Sequence, residues 1–105
     1  MTTTVSKKAG PERFEISVDG QKAGEALFVD TDGRRVFFHT EVDPTYSGQG
    51  LGGALVSGAL EATRAEGLRV VAVCPFVKKY VNTHEEWAAE VDAATPAMLA
   101  AIPRR

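Results

Sequence analysis

Residues that bind metals or form disulfides are scarce in this sequence. Cys74 is the only cysteine, so no disulfide can form within the chain. His39 and His84 are the only histidines, and together with Cys74 they do not have the spacing of a zinc site. We therefore expect no bound metal.

Long apolar runs and large basic clusters are also missing. No stretch approaches the roughly 20 apolar residues that span a bilayer, and the N-terminal residues are polar where a signal peptide has an apolar core. The formal net charge is −2, and basic residues such as Lys78-Lys79 and Arg104-Arg105 occur only as pairs. A nucleic-acid surface needs clustered lysine and arginine. We expect a cytoplasmic protein that binds neither nucleic acid nor membrane.

The length and composition fit one globular domain, with 105 residues, 44% hydrophobic and 25% charged. Residues 1–10 have no apolar period and end at the breaker pair Gly10-Pro11. We interpret residues 1–10 as a flexible N-terminal tail and residues 11–105 as a single domain. We expect a monomer or a weak dimer.

Three consecutive strands are predicted after this tail. The first contains Phe14, Ile16 and Val18, which alternate with polar residues, and the turn signal Asp19-Gly20 follows it. The second covers residues 23–29, and Thr31-Asp32-Gly33 precedes the third, residues 34–42. Connections this short require an antiparallel meander, because parallel pairing needs a crossover of about a dozen residues.

The third strand has apolar residues on both faces, which is typical of a central strand. Strict alternation places four residues on one face and three on the other: Val36, Phe38, Thr40 and Val42 against Phe37, His39 and Glu41.

A helix over residues 55–66, ending at Glu66-Gly67, and a buried strand over residues 68–74 come next. Strand, helix and strand in this order form a right-handed βαβ unit, so the last two strands run parallel. Short helices are predicted from Pro75 to about residue 82, after a capping box at residues 83–86, and from Thr95-Pro96 onward. The fold class is α+β (mixed α/β), an antiparallel meander leading into one βαβ unit with short C-terminal helices.

The segment Gly48-Gln49-Gly50-Leu51-Gly52-Gly53-Ala54 has the composition of a phosphate-binding loop. Glycines let backbone N–H groups converge on an anion, and the helix that follows adds its unpaired first-turn donors and its positive dipole end. The pattern G-x-G-x-x-G is weak alone, and the next strand ends in Val73-Cys74-Pro75 without the acid of a nicotinamide site. The alternative is a tight turn in which glycines only permit close packing.

Residues 39–56 resemble the acetyl-CoA loop of the GNAT N-acetyltransferases. They consist of His39-Thr40-Glu41-Val42-Asp43-Pro44-Thr45-Tyr46-Ser47, the glycine segment and Leu55-Val56. The signature of that loop is Gln/Arg-x-x-Gly-x-Gly/Ala. Three further segments resemble a small, single-domain branch of that superfamily: Gly67-Leu68-Arg69-Val70-Val71, Cys74-Pro75-Phe76-Val77 and Tyr80-Val81-Asn82-Thr83-His84. The similarity covers about residues 14–91.

This resemblance implies acetyl-CoA or CoA as co-substrate. The implied binding residues are Val42, Ser47, Gly48, Gln49, Gly50, Leu51, Gly52, Gly53, Ala54, Cys74, Pro75 and Tyr80. The first signature position falls on Ser47, or on Gln49 after a shift of two residues; we favour Ser47, which weakens one pyrophosphate contact. The resemblance also implies an open acceptor site, because larger members have an additional N-terminal strand and helices for which this chain has no residues.

Four residues are candidates for the chemistry of acetyl transfer. Glu41 or His39 could accept the proton of the amine, directly or through water. The resemblance implies that a backbone N–H of Glu41 or Val42 holds the thioester carbonyl. Cys74 could line the acetyl pocket or carry the acetyl group, and Tyr80, with His84 as substitute, could protonate the thiolate of CoA. Each also has a plain packing or surface interpretation.

The sequence therefore predicts an acetyl-CoA-dependent N-acetyltransferase that transfers the acetyl group directly to an amine of a protein lysine or a small molecule. One alternative is a non-catalytic CoA or acyl-CoA-binding module, acting as a sensor or carrier. Another is an interaction domain without a ligand.

Overall fold

A computed structural model describes residues 2–46 and 48–103. Their strands form one sheet in the order β1-β2-β3-β4-β5. The strands are β1 Thr3–Lys8, β2 Arg13–Val18, β3 Gln21–Thr31, β4 Arg34–Val42 and β5 Arg69–Ala72. The helices are α1 Leu51–Ala65, α2 Pro75–Thr83 and α3 Pro96–Ala100, with 3-10 turns at Pro44–Tyr46 and Glu85–Glu90.

The pairing of the strands confirms the predicted mixed sheet. Strands β1 to β4 are antiparallel to their neighbours, and β5 runs parallel to β4. Two-residue turns at Asp19-Gly20 and Asp32-Gly33 join β2 to β3 and β3 to β4. All four turn residues have positive φ, from 50° at Asp19 to 86° at Gly20, which matches the right-handed twist of a hairpin.

Apolar side chains pack on both faces of the sheet. The larger cluster lies between the sheet and α1, with Phe14, Phe28 and Phe37 among its members. The smaller cluster joins Val36 and Val71 to Met98 of α3. Strand β4 contributes to both clusters, so the prediction of a central strand is confirmed. Within residues 2–46 and 48–103, no helix is long and apolar enough to cross a membrane.

Strand β1 forms where the sequence suggested a tail and no N-terminal strand. It pairs along its whole length with β2, and Val5 packs against α1 at Gly58. The apolar pattern is missing because β1 is an edge strand whose side chains are mostly exposed. Backbone hydrogen bonds to β2 and the packing of Val5 against the larger cluster hold this strand.

A β-bulge at Phe38 corrects the predicted faces of β4. Leu27 pairs with His39 while its neighbour Phe28 pairs with Phe37, so Phe38 is an extra residue. An extra residue reverses the alternation beyond it. Thr40 and Val42 therefore share the α1 face with Phe37. His39 and Glu41 lie on the opposite face.

Element boundaries differ from the predictions by a few residues. Helix α1 begins at Leu51, so the last glycines belong to its first turn, and β5 ends at Ala72. The predicted capping box does not form, because the Thr83 hydroxyl donates back to carbonyls of α2, including Lys79 O at 3.0 Å. His84 precedes the following 3-10 turn without a side-chain cap.

Candidate active site

Strands β4 and β5 separate at one end, which creates a gap in the sheet. Their ladder ends where Phe37 pairs with Ala72. The N–H groups of Val73 and Cys74 both donate to the Phe37 carbonyl oxygen, at 3.0 and 2.9 Å. Beyond this point β4 continues to Val42, whereas the segment after β5 turns into α2. The gap therefore lies between the end of β4 and the beginning of α2.

The connection from β4 to α1 begins with an ordered turn. Asp43 Oδ1 accepts a hydrogen bond from Thr45 N at 2.9 Å, and the Asp43 carbonyl accepts from Tyr46 N at 2.9 Å. The hydrogen bond from Thr45 lowers the pKa of Asp43. Aspartate before proline is a signal for such turns, although the sequence analysis assigned Asp43 no role. Ser47, a predicted binding residue, lies outside the described residues.

The glycine segment forms the exposed N-terminal end of α1. Gly48 and Gly50 have φ values of 82° and 72°, and Gly50 is the left-handed residue immediately before the helix. The first helical bond runs from Ala54 N to Gly50 O, at 3.2 Å. The preceding amides of Leu51, Gly52 and Gly53 are thus first-turn donors. The binding of an anion by these donors stays a prediction.

Buried and exposed residues of this segment have different tasks. Leu51 is buried and anchors the first turn in the core beneath α1, where Val42 also packs. Gln49 is exposed, and its N–H donates to Tyr46 O at 3.3 Å. Ala54 is exposed on the helix surface. The glycine backbone is therefore accessible while one leucine holds it in place.

One side of α2 covers the first turn of α1. A Cβ atom on Gly52 would overlap the ζ carbon of Phe76, and one on Gly53 would lie 4.0 Å from a ring carbon of Tyr80. Phe76 is 43% exposed although it is large and apolar. The sequence analysis gave Phe76 no role of its own. Its spacing of four from Tyr80, which places both rings on one face of a helix, was the available signal.

A groove of about 210 Å³ lies between these two helices. Its lining residues are Gly53, Phe76, Lys79, Tyr80 and Thr83. The groove therefore combines first-turn backbone of α1 with two aromatic rings and one lysine of α2.

Cys74 lies inside the gap and is almost fully buried, at 4% exposure. Its thiol donates to Thr40 Oγ1 at 3.3 Å, a contact between the residue before α2 and strand β4. The sequence analysis missed this contact because the bulge determines it. The neutral Thr40 hydroxyl is its hydrogen-bond partner among the described residues. Pro75, the first residue of α2, is exposed beside it.

His39 and Glu41 share a face of β4, as predicted, and their Nε2 and Oε1 atoms are 3.7 Å apart. Because of the bulge this is the sheet face away from α1. The side chains are 39% and 70% exposed. Glu41 also lines an open groove of about 360 Å³ with residues of β3 and of the loop after β4. The structure thus separates these two residues from Cys74 by the thickness of the sheet.

Tyr80 and His84 form a stacked pair at the end of α2. Their ring centroids are 3.9 Å apart with an interplanar angle of 12°. His84 Nδ1 lies 2.8 Å from the Tyr80 carbonyl oxygen, which can only accept, so Nδ1 donates. His84 therefore supports the ring of Tyr80. No group of side chains in residues 2–46 and 48–103 has the composition and proximity of a metal site.

Comparison with known proteins gives a family for this arrangement. A family model described as GCN5-related N-acetyl-transferase matches residues 13–91. No curated protein matches the sequence. The solution structure of a GCN5-like protein from Staphylococcus aureus aligns with a TM-score of 0.64 and 22% identity, over 87% of this chain and 91% of that one. At this identity the likeness is one of fold.

Two larger enzymes also align with this chain. The ribosomal-protein-S18-alanine N-acetyltransferase from Escherichia coli aligns at 27% identity and a TM-score of 0.52, over 55% of this chain and 38% of that one. The ribosomal-protein-alanine N-acetyltransferase from Brucella melitensis aligns at 22% identity and 0.54, over 80% and 63%. The chain thus spans less than two thirds of either enzyme. Because the family model covers most of its length, the chain belongs to the GCN5-related N-acetyltransferases.

Proposed function

We propose that this protein is a cytoplasmic enzyme that transfers the acetyl group of acetyl-CoA directly to an amine, which is a protein lysine or a small amine. The observation that carries the proposal is the exposed glycine backbone at the start of α1, beside the gap between β4 and β5. The positive φ of Gly48 and Gly50 and the groove beside Gly53 support the binding of a pyrophosphate here. Leu51, Gly52 and Gly53 would supply the N–H donors.

Acetyl-CoA supplies a thioester with an activated carbonyl carbon. The amine nitrogen bonds to that carbon as the carbon–sulfur bond breaks. The amine proton goes to Glu41 or His39, directly or through water, and the departing thiolate takes a proton from Tyr80. A backbone N–H at the end of β4, from Glu41 or Val42, would polarise the carbonyl. The far side of the sheet, where His39 and Glu41 lie, would receive the amine.

In this proposal Cys74 shapes the floor of the gap and does not carry the acetyl group. Its burial and its hydrogen bond to a neutral hydroxyl support this role, because a nucleophilic thiol needs a nearby base. The rival function is binding of CoA or an acyl-CoA without catalysis. The exposure of Glu41 favours this rival function, because water solvates an exposed carboxylate and makes it a less effective general base.

Ligand-dependent stability tests the binding half of the proposal. CoA, acetyl-CoA and desulfo-CoA should each raise the melting temperature, because the pyrophosphate contacts do not need the thioester. Ligand at a hundred times its Kd adds about 2.7 kcal/mol of stability. NADH serves as the control and should give no shift. Equal shifts by NADH and CoA would return the glycine loop to a generic or dinucleotide-binding role.

Steady-state kinetics with an amine tests the catalytic half. Glu41→Gln or His39→Gln should lower turnover by about 10²- to 10⁴-fold with little change in CoA affinity, and the loss should shrink at high pH where the amine deprotonates unaided. Cys74→Ala should keep most of the activity. Ping-pong kinetics together with a competent acetyl adduct on Cys74 would refute direct transfer. CoA binding without turnover of any amine would favour the rival.

A further inference from the structure

The lysines and arginines of the described residues differ in whether they are neutralised. All of them form ion pairs with carboxylates except Lys8, Lys78 and Lys79. Lys8 lies on β1, at the opposite edge of the sheet from β5. The other two are neighbours on α2, where they point into different grooves. Lys78 and Lys79 therefore differ from each other in position, although neither forms an ion pair.

Lys79 lies beside the first turn of α1, whereas Lys78 does not. Lys79 lines the groove that has Gly53 on its opposite wall, together with Phe76 and Tyr80. Lys78 lines a separate groove with Ala72, Val73 and residues 91–94. The two lysines have the same chemistry, exposure class and helix, and differ in the site that they face.

A cation at the position of Lys79 would complement a loop that has none. The sequence from Pro44 to Ala54 contains no lysine or arginine. In the register of the family resemblance that we favour, the first position of the loop signature is Ser47 instead of a long polar side chain. CoA carries a pyrophosphate and a 3′-phosphate, and backbone donors alone leave much of that charge uncompensated. Lysine is a common ligand of phosphate, acting as a mobile point charge.

We infer that Lys79 is a binding and specificity residue for a phosphate of CoA, taking over the contact that the missing side chain at the signature position would make. This inference rests on the proposed function. The 3′-phosphate and the pyrophosphate offer the same chemistry to the ammonium group. Lys79 would therefore favour thioesters of CoA over thioesters of pantetheine, which lacks these phosphates.

Calorimetric titration of CoA into three variants of the full chain tests this inference. Lys79→Met should raise the Kd for CoA by about three- to thirtyfold, and its affinity should depend less on salt than that of the wild type. Lys78→Met is the matched control and should stay within about twofold, because a surface charge away from the ligand contributes little. Lys79→Arg should keep an affinity for CoA close to that of the wild type, because arginine retains the positive charge. Circular dichroism confirms that each variant is folded.

Titration of 3′-dephospho-CoA identifies the phosphate that Lys79 contacts. If the effect of Lys79→Met disappears with this ligand, the contact is to the 3′-phosphate; if it persists, the contact is to the pyrophosphate. Equal effects of Lys78→Met and Lys79→Met, or none in either, would overturn the inference while wild-type CoA binding upholds the proposed function. A wild-type protein that fails to bind CoA would overturn both.

Discussion

At the scale of single residues, Gly50 sets the geometry of the candidate phosphate loop. It adopts φ 72° immediately before α1, and a Cβ atom there would meet nothing within 4 Å. The requirement for glycine at this position is therefore one of backbone conformation, not of space. Gly52 differs, since its φ is not left-handed and a side chain there would displace the exposed ring of Phe76.

This distinction predicts different outcomes for two substitutions of Gly50. Gly50→Val should lose most CoA binding, because the left-handed conformation costs an L-residue about 1–2 kcal/mol and β-branching adds to this cost. Gly50→Asn should keep binding within a few-fold, since asparagine enters this conformation readily. Calorimetric titration with CoA measures both. Wild-type affinity in a folded Gly50→Val protein would show that the loop conformation is unimportant for the ligand.

At the scale of elements, the contact between β1 and α1 depends on one glycine. A Cβ atom on Gly58 would lie 2.9 Å from Cβ of Val5, which is closer than such atoms approach in proteins. Lys7 adds an ion pair to Glu66 at the end of α1, at 3.0 Å. Strand β1 is thus held by its ladder with β2 and by the close packing of Val5 on α1, which Gly58 permits because it has no side chain.

The same contact reverses the usual effect of alanine in a helix. Replacing an interior glycine by alanine normally stabilises a helix by about 0.5–1 kcal/mol. Gly58→Ala should instead lower the free energy of unfolding, by about 1–3 kcal/mol, because β1 must move away from α1. Gly53→Ala, in the same helix but with its nearest neighbour at 4.0 Å, is the control and should not destabilise. Urea denaturation compares them, and a stabilised Gly58→Ala protein would contradict the packing described.

At the scale of the whole molecule, Arg35 joins the sheet to the end of α1. Its guanidinium is fully buried, donates to Asp30 at 2.7 and 2.8 Å and to Glu66 at 2.8 and 2.9 Å, and lies 4.4 Å from the ring centroid of Phe28. Burial disfavours its charge, but the hydrogen bonds to both carboxylates outweigh burial and raise its pKa. One side chain thereby connects β3, β4 and α1.

This network predicts how acid weakens the fold. Hydrogen bonds from Arg35 and Lys7 lower the pKa of Glu66 from 4.5 to about 2. The ionised carboxylate therefore stabilises the folded state above the unfolded pKa, and this stabilisation is lost as pH falls through the folded pKa. Glu66→Gln should cost about 1 kcal/mol at neutral pH, after allowance for solvent screening, and the difference from wild type should shrink between about pH 5 and 2.

Urea denaturation across this pH range measures that difference. Glu61→Gln is the control, because Glu61 lies on the same helix but is 61% exposed and makes only a 3.8 Å pair with Arg64. Its free energy of unfolding should follow that of the wild type at every pH. A Glu66→Gln curve parallel to the wild-type curve down to pH 2 would show that the ion pairs contribute nothing to the acid sensitivity.

The sequence alone predicted most of the fold because its signals are local. Turn pairs such as Asp32-Gly33 require particular backbone angles, and the apolar periods of β2 and α1 differ. The parallel pairing of β4 and β5 followed from chain connectivity. The glycine segment between β4 and α1 was recognisable as a candidate anion site for the same reason, since only its composition and its place before a helix were needed.

Tertiary structure decided the features that depend on contacts between distant residues. The bulge at Phe38 arises from the register between β3 and β4, and it determines that Thr40 meets Cys74 while His39 and Glu41 lie on the other face. The ordering of β1 depends on its ladder with β2, and the placement of Phe76 and Lys79 depends on how α2 packs against the first turn of α1. No period or turn signal along the chain contains these contacts, because each joins residues whose sequence neighbours do not constrain one another.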